Sequence, residues 1–270
     1  MSNLDTLIQN LCPNGVNKRY LSEVATYKDG AAHEHIMGEN GNYIVTKVKF
    51  ISSDGEYKMY CDKRLSPVEK DDVIMVMSDL PNGKSLAKCF LIDEDRKYTI
   101  NQRVCALTPN KELLPKYLYY VLNRNKQLLK YDTGHTQTHL KKSYILKVQI
   151  PVPPMKIQEE VVQILDAFTE HIGLLNNELQ ARRQQFEWCQ SKLLRFNTHI
   201  TYAKLGSVCT LEKGKTAIQK ATPGDYPLVV TAVERKSSDS YKFGKAAVCI
   251  PLVSSRGHGV ASINQLFYEE

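Results

Sequence analysis

Between Pro151 and Phe196 the sequence reads PVPPMKIQEEVVQILDAFTEHIGLLNNELQARRQQFEWCQSKLLRF. From Val161 its apolar residues recur at alternating steps of four and three: Val161, Leu165, Phe168, Ile172, Leu175, Leu179, Phe186, Cys189 and Leu193. Arg182 is the single polar residue in this series. Such spacing is a heptad seam, a narrow apolar stripe along one helix. Pro153 and Pro154 stand where proline suits a helix start. Glu159, Glu160, Asp166 and Glu170 fall in the first half, and Arg182, Arg183, Lys192 and Arg195 in the second, which suits the helix dipole. A helix from 157 to 195 would be roughly 58 Å long. No helix buries such a stripe by itself, so Val161, Leu165, Phe168, Ile172, Leu175, Leu179, Phe186 and Leu193 are the expected interface with a partner helix.

The rest of the chain has globular composition, 42% hydrophobic and 24% charged, with room for a core. No apolar run is long enough to span a membrane, and Met1 to Gln9 is not a signal peptide. Seven scattered cysteines without a C-x-x-C pair read as reduced thiols of a cytoplasmic protein. The net charge of +7 is unevenly spread: residues 41–150 carry 19 Lys/Arg against 12 Asp/Glu. A basic domain flanked by near-neutral parts suits a polyanion, although a solvated surface accounts for the charge alone equally well.

Taken in order, Leu4, Leu7, Ile8 and Leu11 mark a short helix stopped by Cys12-Pro13-Asn14-Gly15. Strands are predicted over 43–50, 72–77, 88–92, 98–107 and 144–152, with a turn at Pro81-Asn82-Gly83 and a helix over 115–131. The fold class is α+β: a mixed α/β domain over 1–152, a long heptad helix over 153–197, and a further domain over 198–270. That last part repeats the first. Leu21-Ser22-Glu23-Val24 then Gly30 matches Leu205-Gly206-Ser207-Val208 then Gly214. Tyr43-Ile44-Val45-Thr46 resembles Tyr226 to Thr231, and Ser52-Ser53-Asp54 before Tyr57-Lys58 matches Ser237-Ser238-Asp239 before Tyr241-Lys242. The common offset is about 184 residues.

An L-x-x-V opening, a G-x-T-Q segment (Gly134-His135-Thr136-Gln137), an I-P-V-P-P stretch (Ile150 to Pro154) with Gln158, a long heptad helix and a second L-x-x-V follow one another here. This order resembles the specificity subunit of Type I restriction–modification systems. The resemblance implies a target recognition domain that reads one half of a split DNA sequence, and a spacer helix that packs antiparallel to another. It implies double-stranded DNA, methyltransferase subunits and restriction/translocase subunits as partners. No cofactor is expected in this chain; S-adenosylmethionine, ATP and Mg would belong to the partner subunits. Against the family pattern the second recognition domain is cut short and the second helix is missing. A homodimer, or pairing with another specificity subunit, would supply the partner helix.

The chemistry of the residues agrees with a non-catalytic subunit. There is no N-P-P-Y or D-P-P-Y box, no G-x-x-x-x-G-K-[ST] phosphate loop and no G-x-S-x-G elbow. His33-Glu34-His35 reads as a surface triplet rather than a metal site; His135 and His139 are four apart, a metal spacing only on a helix, against which the Gly134 loop argues; and Gly257-His258-Gly259 reads as a turn. Candidate DNA contacts are Lys47, Lys49, Tyr57, Lys58, Lys63, Arg64, Lys84, Arg103, Lys141 and Lys142. Thr136 and Gln137 match the family motif and are read as structural. The competing reading is a coiled-coil assembly protein or a decayed half-subunit without specific DNA recognition.

Overall fold

The computed structural model describes residues 3–81, 83–132, 134–196, 200–210, 221–228 and 236–241. The chain divides into two units, Met1–Lys192 and Leu193–Glu270. The first unit opens with α1 (Asn3–Leu11), β1 (Lys18–Tyr20), α2 (Leu21–Val24), β2 (Ala25–Asp29), β3 (Tyr43–Thr46), α3 (Val48–Ser52) and β4 (Tyr60–Cys61). It continues through β5 (Pro67–Val68), β6 (Val73–Val76), β7 (Ser78–Asp79), β8 (Cys89–Leu91), β9 (Tyr98–Ile100) and β10 (Val104–Pro109). Then come α4 (Pro115–Leu122), α5 (Lys126–Leu129), β11 (Thr138–His139), α6 (Lys142–Leu146), β12 (Gln149–Pro151) and the long α7 (Met155–Leu193).

Two four-stranded sheets carry the unit. One runs β2-β10-β6-β8, antiparallel throughout; the other runs β4-β3-β9-β5, with β3 and β9 parallel. The central strands β6 and β10 are buried on both faces, and their side chains alternate between two cores. Val73, Met75, Cys105 and Leu107 join Leu21, Val24, Leu118, Leu122, Leu128, Ile145 and Ile150. Ile74, Val76, Val104 and Ala106 join Ile44, Phe50, Ile51 and Ile100 between the two sheets. Burial on both faces explains why Val73 to Val76 is apolar without a break.

Four expected elements differ in extent or type. The strand predicted over 43–50 ends at Thr46, and Val48–Ser52 is a helical turn instead. Phe50 and Ile51 are adjacent and both buried, which a strand facing one core cannot achieve. The strand over 98–107 is two strands, because the chain turns at Asn101–Arg103 between the sheets. The helix over 115–131 is split into α4 and α5 by Arg124, which has a φ of 58°, and by Asn125, whose side chain caps α5 by accepting from the Gln127 amide. The strand over 144–152 is α6 followed by β12, which pairs antiparallel with β1.

In the second unit α8 (Leu205–Val208) repeats α2 in backbone detail. Both turns follow an extended residue, end in an extended residue, and send that last amide back to the carbonyl of their leucine. The apolar pair Leu21 and Val24 is buried, whereas Leu205 and Val208 are 54% and 64% exposed. β13 (Tyr226–Leu228) pairs antiparallel with β14 (Lys236–Ser238). The repeat matches at Gly214, at 229–231 and at Lys242, the 257–259 turn, and Asn82 of the predicted turn lie outside the described residues.

Candidate nucleic-acid interface

Strand register gathers several loops at one end of the first unit. At the ends of β6 and β10, Val76 faces Val104; Cys105 faces Asp29 at the end of β2, and Met75 faces Cys89 at the start of β8. The parallel strands β3 and β9 run out together, with Thr46 beside Ile100. The Asn101 amide donates to the Thr46 carbonyl (3.3 Å), and the Val104 amide donates to that of Asn101 (2.9 Å), so both sheets end at one turn. Gly30 lies so close to this turn that a Cβ there would stand 2.0 Å from the Asn101 carbonyl oxygen. Only glycine permits that approach. The β7–β11 pair extends the same end: the Leu140 amide donates to the Met77 carbonyl (2.7 Å), and the Met77 amide to that of Arg103 (2.9 Å).

Eight of the ten candidate contacts gather there. Lys47 immediately precedes α3, Lys49 lies on it, and Lys49 Nζ sits 3.8 Å above the Tyr57 ring. Lys58 precedes β4, whose Tyr60 faces Ile44. Arg103 lies in the inter-sheet turn, Lys84 follows β7, and Lys141 and Lys142 follow β11. Lys142 Nζ lies 3.9 Å from an Asp29 carboxylate oxygen and 4.6 Å from the Tyr27 ring centre. Lys47, Lys49, Lys58, Lys84, Arg103, Lys141 and Lys142 place seven cations on a few loops, interleaved with the carboxylates of Asp29, Glu34 and Asp79.

Lys63 and Arg64 lie elsewhere, beyond β4 at the opposite end of β3. The Arg64 guanidinium donates to the carbonyls of Tyr98 (3.1 Å) and Val68 (2.7 Å) and to the Glu69 carboxylate (2.8 Å). Its donors tie β5 and β9 together, and its side chain is largely covered.

The structure corrects the surface reading of the His33-Glu34-His35 triplet at His33, which lies inside the fold, and it sets Glu34 beside the basic cluster. The Glu34 carboxylate accepts from Asn101 Nδ2 and Gln102 Nε2, both at 3.2 Å. Its own backbone amide and Asn101 hold that carboxyl below its usual range, and Lys47 adds to the effect. His33 is buried: Nδ1 lies 2.7 Å from the Ala31 carbonyl and Nε2 lies 3.0 Å from Thr99 Oγ1. Both ring nitrogens serve the fold. Gln137 Nε2 donates to Ser78 Oγ (2.9 Å), which secures the loop before β11. Among the described residues no group of three or more His, Cys, Asp or Glu is placed to hold a metal ion. Burial pushes the Cys89 and Cys105 thiols up, so neither is an activated nucleophile.

The helix seam stands apart from this cluster. The start of α7 is anchored by Gln158, which is fully buried. Its Oε1 accepts from the Leu114 amide (2.9 Å), and its Nε2 donates to the carbonyls of Glu112 (2.8 Å) and Pro153 (2.9 Å). Two turns on, Asp166 accepts from the Tyr120 hydroxyl (2.5 Å) and meets Lys116 Nζ (2.7 Å). Val161, expected in the partner-facing seam, packs with Val162 against the domain's own core instead, because the start of α7 is docked on that core. Beyond them Phe168, Ile172, Leu175, Leu179, Phe186 and Leu193 are all more than half exposed, at 64%, 58%, 53%, 51%, 66% and 75%.

A family model, Type I restriction modification DNA specificity domain, matches residues 13–182. This chain belongs to that family. A putative type I restriction enzyme specificity subunit of Haemophilus influenzae is 29% identical over 155 residues, covering 54% of this chain and 40% of that protein. The EcoR124I/EcoR124II specificity subunit of Escherichia coli is 28% identical over 105 residues, 36% of this chain and 26% of its own length. The chain therefore spans less than half the length of these relatives. A chain in a solved type I R-M system superposes with a TM-score of 0.55 at 17% identity, covering 71% of this chain and 49% of that one. It shares the fold of the specificity-domain family, and membership does not favour the assembly-protein reading. No helix among the described residues is long and apolar enough to cross a membrane.

Proposed function

We propose that this chain is a non-catalytic DNA-recognition component of a Type I restriction–modification assembly, with the loop end of the first unit as its DNA-facing surface. The observation that carries this is the convergence of Lys47, Lys49, Lys58, Lys84, Arg103, Lys141 and Lys142 on one strand end, in a chain of the specificity-domain family. Lysines there neutralise phosphates, while the tethered loops carry polar groups toward the base edges. The recurrence of the α2 turn at Leu205–Val208 supports a second unit of the same kind. Methyltransferase and restriction subunits, with S-adenosylmethionine, ATP and Mg, are the proposed partners and their cofactors. The off-seam Leu174 and Trp188, two heptads apart and 60% and 61% exposed, suit docking of the methyltransferase.

The seam of α7 suits a second, antiparallel helix, and a second copy of this chain is self-complementary. Laid antiparallel, Leu175 of each copy faces Leu179 of the other, Ile172 faces Arg182, Phe168 faces Phe186 and Leu165 faces Cys189. The acidic first half of one helix then lies along the basic second half of the other, with Arg182 near Glu170 of the second copy.

The test is a binding titration of the full chain against a duplex selected from a random pool and against an unselected one, over a range of salt. The expected result is a steep loss of affinity with salt for both, and a large preference for the selected duplex. Equal affinity for both would overturn the recognition reading.

A further inference from the structure

Next to the basic cluster a short loop displays a large apolar side chain on an unusually firm support. Leu80 directly follows β7 and is 66% exposed, more than any other large apolar residue described in the first unit outside α7. Exposed leucines are common on mobile loops and need no explanation there. This one is braced from beneath. The Asp79 carboxylate accepts from the amides of Leu80 (2.9 Å), Ser85 (2.6 Å) and Leu86 (3.1 Å), which closes the loop onto its own base. Gly83 lies against that carboxylate, and a Cβ there would stand 2.2 Å from Asp79 Oδ2. Below the brace, β7 pairs with β11 and Gln137 holds Ser78. Leu86 and Ala87 at the far end of the loop are fully buried. Leu80 is thus fixed in the open, with Pro81 beside it and Lys84 on the same loop, while Arg103 is joined to this end through the Met77 amide.

We infer that Leu80, held by the Asp79 brace, is a specificity-determining residue that makes an apolar contact with thymine 5-methyl groups in the major groove, while Lys84 engages the flanking phosphate. This rests on the recognition reading above and extends it to a named contact. A thymine methyl is the one apolar group a base pair presents in that groove, and an aliphatic side chain is its natural reader. Preorganisation by Asp79 removes the cost of ordering the loop on binding. Carrying Leu80 into such a contact removes about half a side chain or more from water, so its loss weakens specific binding roughly ten-fold.

The experiment uses the full chain and a duplex enriched from a randomised pool. Leu80→Ala is compared with the parent on that duplex, on the same duplex with deoxyuridine in place of thymidine, and on an unrelated duplex. The expected result is a loss of about ten-fold on the enriched duplex, from either the substitution or the missing methyls, with little further loss when they are combined. Affinity for the unrelated duplex and its salt dependence stay unchanged, and Leu80→Met retains the preference. If Leu80→Ala keeps full preference, or if its loss adds to that of deoxyuridine, the contact is overturned and the recognition reading stands. If no sequence is enriched, the recognition reading fails and takes the contact with it.

Discussion

Replacing Leu175 with lysine tests whether α7 is an interface and which way round it pairs. Leu175 and Leu179 are 53% and 51% exposed, near the middle of the helix, and face one another across the proposed two-fold axis. Both copies carry the substitution, so every cost counts twice. Losing the burial of half a leucine costs about 1 kcal/mol per chain, and placing an unpaired ammonium there costs about 1 kcal/mol or more. The sum is roughly 4 kcal/mol, a weakening of about a thousand-fold in dimer affinity. Sedimentation equilibrium over a concentration series reads this as a shift from dimer to monomer mass. Leu174→Lys, one residue away but off the seam, is the control and leaves the mass unchanged. The orientation is read with the native Cys189. In the antiparallel register Leu165→Cys places a thiol opposite Cys189 of the other copy, and oxidation gives a cross-linked dimer. A parallel pair would instead cross-link through Cys189 alone, without any substitution. If Leu175→Lys leaves the dimer intact, or if the parent cross-links through Cys189, the pairing is refuted.

The proposed recognition end and the scaffold respond to different substitutions. Lys49→Ala and Lys58→Ala weaken DNA binding and each reduce its salt slope by about 1 without moving Tm, whereas Arg64→Ala lowers stability by roughly 1–3 kcal/mol through the exposed carbonyls of Tyr98 and Val68, as measured by denaturant unfolding. Gln158→Ala strips partners from the Leu114 amide and the Glu112 and Pro153 carbonyls; a cost of about 2–4 kcal/mol is expected, with hydrogen exchange at the start of α7 as the local readout. Burial opposes the charge of Asp166, but hydrogen bonds from Lys116 and Tyr120 outweigh it and hold the carboxyl below its ordinary value. A lowered folded-state pKa stabilises above the unfolded value of about 3.9 and is lost as pH falls through the folded value. Thermal unfolding between about pH 2 and 6 is therefore expected to lose an acid-sensitive component in Asp166→Asn.

The long helix and the central strands were legible because one physical demand wrote them. The seam repeats from Leu165 to Leu193, and Val73 to Val76 is apolar throughout because both faces of β6 are buried. The segment after Thr46 was not legible as a helical turn: Val48 and Phe50 fit an alternating strand, and only tertiary packing reveals that Ile51 is buried beside Phe50. The break at Asn123–Asn125 depends on a left-handed Arg124, a conformation its residue type does not announce. At the candidate site the cations themselves could be named, but their grouping could not. Lys49, Arg103 and Lys141 come to the same end of the unit through the register of β3, β9, β6 and β11, which local sequence does not encode. Arg64 looks like its fellow cations in the sequence, and only its three acceptors show that it serves the scaffold. Leu80 carried no signal at all, because a single leucine between Asp79 and Pro81 gains meaning only from the brace beneath it.

Anchoring of α7 at Gln158 and Asp166 makes the helix a lever with a short grip and a long arm. From Asp166 to Leu193 roughly 40 Å of helix extends beyond the last anchor. A tilt of about 5° at the grip displaces the far tip by roughly 3.5 Å, close to the rise of one base pair. In the proposed assembly on DNA, angular error at the root is thus converted into displacement along the duplex. In the spacer role proposed for α7, the strictest tolerance therefore lies not at its tip but at Gln158, where a buried amide grips three backbone groups.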